Sequence, residues 1–293
     1  MAAPHIPLLP GIGGLIDNYD GVILDVWGVL HDGAKPFPGV LDTLHRLKQG
    51  GKKTLVLSNA PRRAVPVSHR LTDIGIARDL YDHIHTSGEE TWQHLTRRDE
   101  PFYRAIGRTC YMVAPDRDSD VMLGLDLERV RDLEQASFIF NVGPWGWDED
   151  VVRYEDMLQA ALRRELPMVC ANPDIVVHHL GRRAICAGAI ALRYEQLGGI
   201  VRWHGKPYAD VYKTALAQLG IPNPKRILAI GDSLRTDIAG ANGAGIDAIV
   251  VAGGIHYEEF GCAEGQIPDP ARVTEAALAA GARPIAALDQ LRW

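Results

Sequence analysis

Short apolar runs alternate along the chain with stretches of helical period. Residues 22–24 (Val-Ile-Leu) form one such run, residues 40–48 carry Leu41, Leu44 and Leu47, and residues 54–57 (Thr-Leu-Val-Leu) form the next run. Strand, helix and strand in that order predict a βαβ unit. The pattern returns near the C-terminus, with a helix expected over about 209–218, a strand over 227–230, a helix over 237–242 and a strand over 248–251. Alternation of this kind implies a parallel sheet covered by helices. The intervening stretch, about 100–201, has strands of its own at 110–114, 138–142 and 168–170 and a helix at 152–164, and reads as an inserted α/β lobe. The expected division is a core from 1–99 and 202–293, with the insert at 100–201.

Composition narrows the class without naming it. At 293 residues, 46% of them apolar and 23% charged, the chain matches ordinary globular averages and has length for one large domain or two modest ones. The net charge of -6 supplies no basic footprint for nucleic acid or an anionic membrane. Cys110, Cys170, Cys186 and Cys262 lie far apart and form no CxxC pair, so neither a zinc motif nor a disulfide framework is suggested, and a reducing, cytoplasmic setting is expected. No apolar run approaches the roughly 18 residues of a membrane span, and the start Met-Ala-Ala-Pro-His lacks the basic region of a signal peptide.

Candidate chemistry sits where the strands end. The first run leads into Asp25, a position where parallel-sheet enzymes place nucleophiles and metal ligands, although a lone aspartate there is more often a turn or cap. The second leads into Ser58-Asn59, an anion holder or simply a helix cap. His204-Gly205-Lys206-Pro207 brings a cation to a turn before a helix, and Lys206 is the first lysine after Lys53. The strand at 227–230 enters a loop carrying Asp232 and Asp237, the oxygen donors a hard cation requires. Each feature alone has a bland explanation, but their joint order does not.

Asp25, Ser58, Lys206 and the Asp232/Asp237 pair together resemble the four motifs of the haloacid dehalogenase-like (HAD) hydrolase superfamily. Gly28-Val29-Leu30 with Gly33 and Pro36-Phe37-Pro38-Gly39, then Asn172-Pro173-Asp174 and Gly205-Lys206-Pro207, resemble the NagD-like subclass, which includes sugar, p-nitrophenyl and pyridoxal phosphate phosphatases. The resemblance spans about residues 19–254. It implies a Rossmann-like parallel core with an α/β cap between the second and third motifs, and a Mg²⁺-dependent phosphatase acting on a small phosphorylated metabolite such as a sugar phosphate. By it, Asp25 attacks phosphorus to form an aspartyl-phosphate, and Ser58 and the Asn59 amide bind phosphoryl oxygens, with Trp27 and Gly28 also against the phosphate. Lys206 neutralises charge, while Asp25, the Trp27 carbonyl, Asp232 and Asp237 hold Mg²⁺. A homodimer through the cap would be similar to relatives.

One position departs from the family's pattern. Active phosphatases of the family carry a second Asp two residues after the nucleophile, as acid for the leaving oxygen and base for the water. Here that residue is Trp27. A general acid/base is worth roughly 10²–10⁴-fold, so an impaired homologue that binds a phosphorylated ligand or a protein partner is the alternative reading. A phosphonatase-like Schiff base is closed off, because no lysine occurs between Lys53 and Lys206. His31 or Asp32 could replace the acid, against the plainer reading of both as turn residues. Gly11-Ile12-Gly13-Gly14 does not open a helix after a strand and is read as a loop. His178-His179 and His83/His85 lack a metal-binding context, Trp145 and Trp147 suggest a lid or a packed loop anchor, and Arg182-Arg183 a second anion contact or a solvated turn.

Overall fold

A computed structural model describes residues 5–115, 120–179, 182–262 and 266–293, with only the backbone of His178, His179 and Arg182. The second-anion reading of Arg182 and the readings of His178 and His179 therefore lie outside the described residues. The chain divides into two compact units, one of Met1–Ser58, Ser68–His85 and Lys206–Trp293, the other of Asn59–Val67 and Thr86–Gly205.

The first unit is built on a six-stranded sheet in the order Ala286–Leu288, Asp247–Val251, Ile227–Gly231, Gly21–Leu24, Lys53–Ser58, His83–Thr86. Pairings from Ala286–Leu288 across to Lys53–Ser58 are parallel. The central strands are apolar throughout because both faces are covered. Val22 and Leu24 join Leu228, Ile230, Ile249 and Val251 in one core, under Leu44 and Leu47 of the helix Val40–Gln49. Ile23, Ile227, Ala229, Ala248 and Val250 turn to the opposite core, under Val211, Tyr212 and Ala215 of the helix Ala209–Leu219. Alternate residues thus feed opposite layers, as the pleat demands.

The second unit has its own five-stranded parallel sheet, ordered Val201–Trp203, Met168–Cys170, Phe138–Asn141, Thr109–Val113, Glu128–Val130. An antiparallel hairpin, Val176–His179 with Arg182–Ile185, accompanies it. This unit is wider than the expected 100–201 insert. Ser87 Oγ donates to the carbonyls of Ala171 and His204, at 2.6 and 2.9 Å, and Thr86 Oγ1 donates to the Arg62 carbonyl, so the helix Ser87–Arg97 is tied to the inserted unit. The helix expected over 237–242 also differs. It begins as a wide π-type turn over Leu234–Ile238 before Ala239–Gly243, because Asp237 Oδ2 accepts the Ser233 N–H and Ser233 Oγ accepts the Thr236 N–H. The four cysteines are free, and no helix among the described residues is long and apolar enough to cross a membrane.

Leu24 is fully buried in the core sheet whereas Val65 is 63% exposed, which separates packing from surface effects. Leu24→Ala should cost about 2–5 kcal/mol in denaturant unfolding and Val65→Ala no more than about 0.5 kcal/mol. Equal shifts for the two would contradict the packing described.

Candidate active site

The carboxyl ends of the core strands gather the polar groups. Asp25 follows the strand Gly21–Leu24 directly, and its own N–H donates to the Ile230 carbonyl at 2.9 Å, which fixes where its carboxyl group stands. Lys206 Nζ is bonded to Asp25 Oδ1, to Asp237 Oδ1 at 2.7 Å and to the Leu57 carbonyl at 2.9 Å. Asp232 Oδ2 accepts the Ile255 N–H at 2.9 Å. Ser58 ends the neighbouring strand, whose Val56 is in register with Leu24. Asp25, Ser58, Lys206, Asp232 and Asp237 are all buried.

Burial sets the electrostatics. It pushes the Asp25 carboxyl up to about 7, with Lys206 opposing the rise and Asp237 adding to it. Burial raises Asp232 well above the usual carboxylate range, and the charges of Asp25 and Asp237 raise it further. Lys206 would be lowered by burial, but Asp237 and Asp25 outweigh that and hold the ammonium above its ordinary value. One oxygen from each of Asp25, Asp232 and Asp237 lies within 4.8 Å of the others. Three carboxylates against one ammonium leave an excess of two negative charges when all are ionised. A divalent cation closes that balance, and oxygen donors are what Mg²⁺ takes. The donor set therefore fits the Mg²⁺ that the resemblance implies.

Glycines make the cluster possible. A Cβ on Gly28, whose φ is +79°, would stand 2.2 Å from Asp232 Oδ2, and one on Gly254 would meet the same oxygen at 2.2 Å. Gly231 faces Asp237 in the same way, at 2.2 Å from its Cβ. Gly28, expected against the phosphate, has its N–H bonded to the His31 carbonyl at 3.2 Å, and its missing side chain leaves room for Asp232. The sequence reading overlooked Gly254, Ile255 and the Leu57 carbonyl. Gly253-Gly254, one residue beyond the strand Asp247–Val251, was the available signal, a glycine pair at the edge that carries Asp25.

The remaining candidates are placed differently. Asn59 groups with the inserted unit, where its Nδ2 donates to Asp174 Oδ1 at 2.8 Å. Trp27 is 36% exposed, its indole edge-on to His31 with centroids 5.3 Å apart. His31 Nδ1 accepts the Gly33 N–H at 2.8 Å, and Asp32 Oδ1 accepts the Ala34 and Lys35 N–H groups. Both residues are thus engaged as turn formers. Trp145 is an anchored loop residue, stacked on Tyr154 at 4.7 Å, with its N–H on the Tyr154 hydroxyl.

Fold and site together define a parallel α/β core with its charged groups gathered at one sheet edge. The haloacid dehalogenase-like hydrolase family model matches residues 22–128, and a second HAD-like model matches residues 203–275. A haloacid dehalogenase-like family hydrolase from Brucella suis 1330 is 31% identical, with TM-score 0.82 over 97% of this chain and 99% of that one. Ribonucleotide monophosphatase NagD of Escherichia coli strain K12 is 26% identical over 80% of this chain and 88% of its own length. The fold is also that of glycerol phosphate phosphatase from Mycobacterium tuberculosis in complex with magnesium, at TM-score 0.62 and 21% identity over 82% of this chain and 69% of that one. The chain belongs to the haloacid dehalogenase-like hydrolase family, in its NagD-like subclass.

His31 gives the site a pH signature. Burial draws its imidazole from 6.5 down to about 4, with Asp32 opposing and Arg70 assisting. Between those values the unfolded chain takes up a proton that the folded chain refuses, so stability falls as pH is lowered across the window. The full loss at the acid end amounts to about 3 kcal/mol. His31→Asn, which keeps an acceptor for the Gly33 N–H, should unfold with a flatter profile between pH 6.5 and 4 than the wild type. Parallel profiles would place the imidazole in water.

Proposed function

We propose that this chain is a Mg²⁺-dependent phosphoric monoester hydrolase that cleaves a small phosphorylated metabolite through an aspartyl-phosphate on Asp25. The observation that carries the reading is the buried Lys206 ammonium joined to both Asp25 and Asp237, with Asp232 beside them. Asp25, Asp232, Asp237 and the Trp27 carbonyl would hold the cation, which when bound offsets negative charge on the phosphoryl oxygens and the carboxylates.

The chain's own groups supply the rest. Lys206, fixed by three acceptors, presents a positive charge where phosphoryl oxygens sit, and Ser58 donates its hydroxyl to one of them. A carboxylate oxygen of Asp25 bonds to phosphorus as the ester oxygen leaves, and water then adds to the same phosphorus to release phosphate and restore the carboxylate. Phosphoryl transfer depends mainly on such positioning and charge stabilisation. Similarity to the ribonucleotide monophosphatase NagD supports a monophosphate substrate, and the fold shared with the glycerol phosphate phosphatase in complex with magnesium supports a phosphorylated metabolite with magnesium.

Trp27 favours a second reading, in which the chain binds a phosphorylated ligand and turns it over slowly. An indole stands where the motif this chain resembles has the proton donor, and His31 and Asp32 are engaged in the turn. A missing acid penalises alkyl esters, whose leaving oxygen needs a proton, far more than aryl esters. The two readings part in one assay of phosphate release. With Mg²⁺, p-nitrophenyl phosphate should be hydrolysed roughly 10²-fold or more faster than an alkyl phosphate, with a burst of p-nitrophenol and no activity in Asp25→Asn. No Mg²⁺-dependent release from any ester, alongside retained vanadate binding, would establish the binding role instead. In the binding assay Lys206→Ala should weaken vanadate or phosphate affinity at least tenfold, and unchanged affinity would remove Lys206 from the phosphate site.

A further inference from the structure

The inserted unit carries a second cluster of metal-ligating side chains that shares no residue with the Asp25 site. Glu90 and His94 stand one turn apart on the helix Ser87–Arg97, and His204 follows the strand Val201–Trp203. All three are buried, Glu90 and His204 to within 1% of complete. One potential ligand atom from each lies within 4.8 Å of the others. We propose that Glu90, His94 and His204 form a metal centre for a zinc-type divalent cation.

The hydrogen bonding around His204 points to this. Its Nε2 is taken by the Tyr103 hydroxyl, while its Nδ1 is fully buried, has no hydrogen-bond partner, and lies 3.8 Å from Glu90 Oε2. With a proton on Nε2, donated to the Tyr103 oxygen, Nδ1 presents a bare lone pair toward Glu90. An unmatched lone pair in a dry interior is costly for a residue whose only task is packing, and a cation satisfies it. Tyr103 then acts as the outer partner that fixes the tautomer of a ligating imidazole.

The surroundings are equally ordered. Glu90 Oε2 is anchored by the Gly205 N–H at 2.9 Å, and the His204 backbone by the Cys170 carbonyl at 3.1 Å and by Ser87 Oγ. His94 Nδ1 lies 2.9 Å from Glu100 Oε1, and the other Glu100 oxygen is bonded to Arg202 at 2.6 Å. Two imidazoles and one carboxylate are a zinc donor set with a fourth position left over, whereas Mg²⁺ takes oxygen alone. The two clusters therefore select different cations.

The full-length Asp232→Asn chain, which weakens the carboxylate site, is stripped with chelator, given Zn²⁺ and desalted. It should retain about one equivalent of zinc, and X-ray absorption at the zinc edge should show imidazole scattering. No retained zinc, or a shell of oxygen alone, would overturn the proposal without any substitution in the cluster itself. In the same background His204→Gln should lose at least tenfold in zinc affinity, and Tyr103→Phe should lose roughly 10–100-fold. Unchanged affinity in a folded His204→Gln chain would also overturn it. The readout is metal content and coordination, so it stands or falls separately from phosphatase activity.

Discussion

A buried ammonium tied to two carboxylates is the constraint around which the first unit is arranged. Lys206 bonds Asp25, Asp237 and the Leu57 carbonyl in an interior where any one of these charges alone would be too costly to keep. The three acceptors come from three different strand ends, and only a parallel sheet brings such ends to one edge with their loops on the same side. The apolar strands with both faces buried are thus a condition of the chemistry, since they hold the ends in register at the spacing of the ion pairs. The same constraint explains Gly28, Gly231 and Gly254, because carboxylates packed this closely leave no room for a Cβ beside them.

The charge balance also fixes what the site can bind. Lys206 neutralises one of the three carboxylates, while burial first, and then the charge of the neighbouring carboxylates, raises Asp25 and Asp232 above their ordinary range. A cation and a phosphoryl group then have opposite effects on one field: the first relieves the carboxylates, and the second brings negative charge that Lys206 and the cation share. At the proposed site phosphate and metal affinity would be coupled through Asp25, which touches the ammonium and belongs to the carboxylate cluster.

Much of this was legible in the sequence where composition and position reinforce each other. Val22, Ile23 and Leu24 running into Asp25 announce a buried strand with a polar end, and the runs before Ser58 and Asp232 repeat the pattern. The glycine contacts were less accessible, because a glycine's value depends on which atom opposes it, and that atom lies on another strand's loop. The compact units divide at other residues than the expected core and insert for a related reason. The helix Ser87–Arg97 directly follows a core strand in sequence, but its attachment through Ser87 to Ala171 and His204 is made across long sequence separations. The π-type turn at Leu234–Ile238 escaped as well, since periodicity locates a helix but not the side-chain bonds that widen its first turn.

Trp27 shows why motif and environment must be weighed together. A carboxyl group at this position would have added one more acidic group to a loop beside three carboxylates that, when all are ionised, already exceed their ammonium by two charges. The indole adds none, and it lies across Gly33, where a Cβ would come within 2.7 Å of its ring. His31 beneath its edge is kept neutral by burial and committed through Nδ1 to the Gly33 N–H. Within this loop Trp27, His31 and Gly33 therefore form a packed, uncharged group whose members depend on one another, with the Asp32 carboxylate turned to the Ala34 and Lys35 N–H groups. Its sequence places packing where the family's motif has a proton-transfer group, while the ammonium and carboxylates of the proposed phosphate and metal site are kept. In the proposed reading, binding and proton transfer rest on different loops, so loss of one does not require loss of the other.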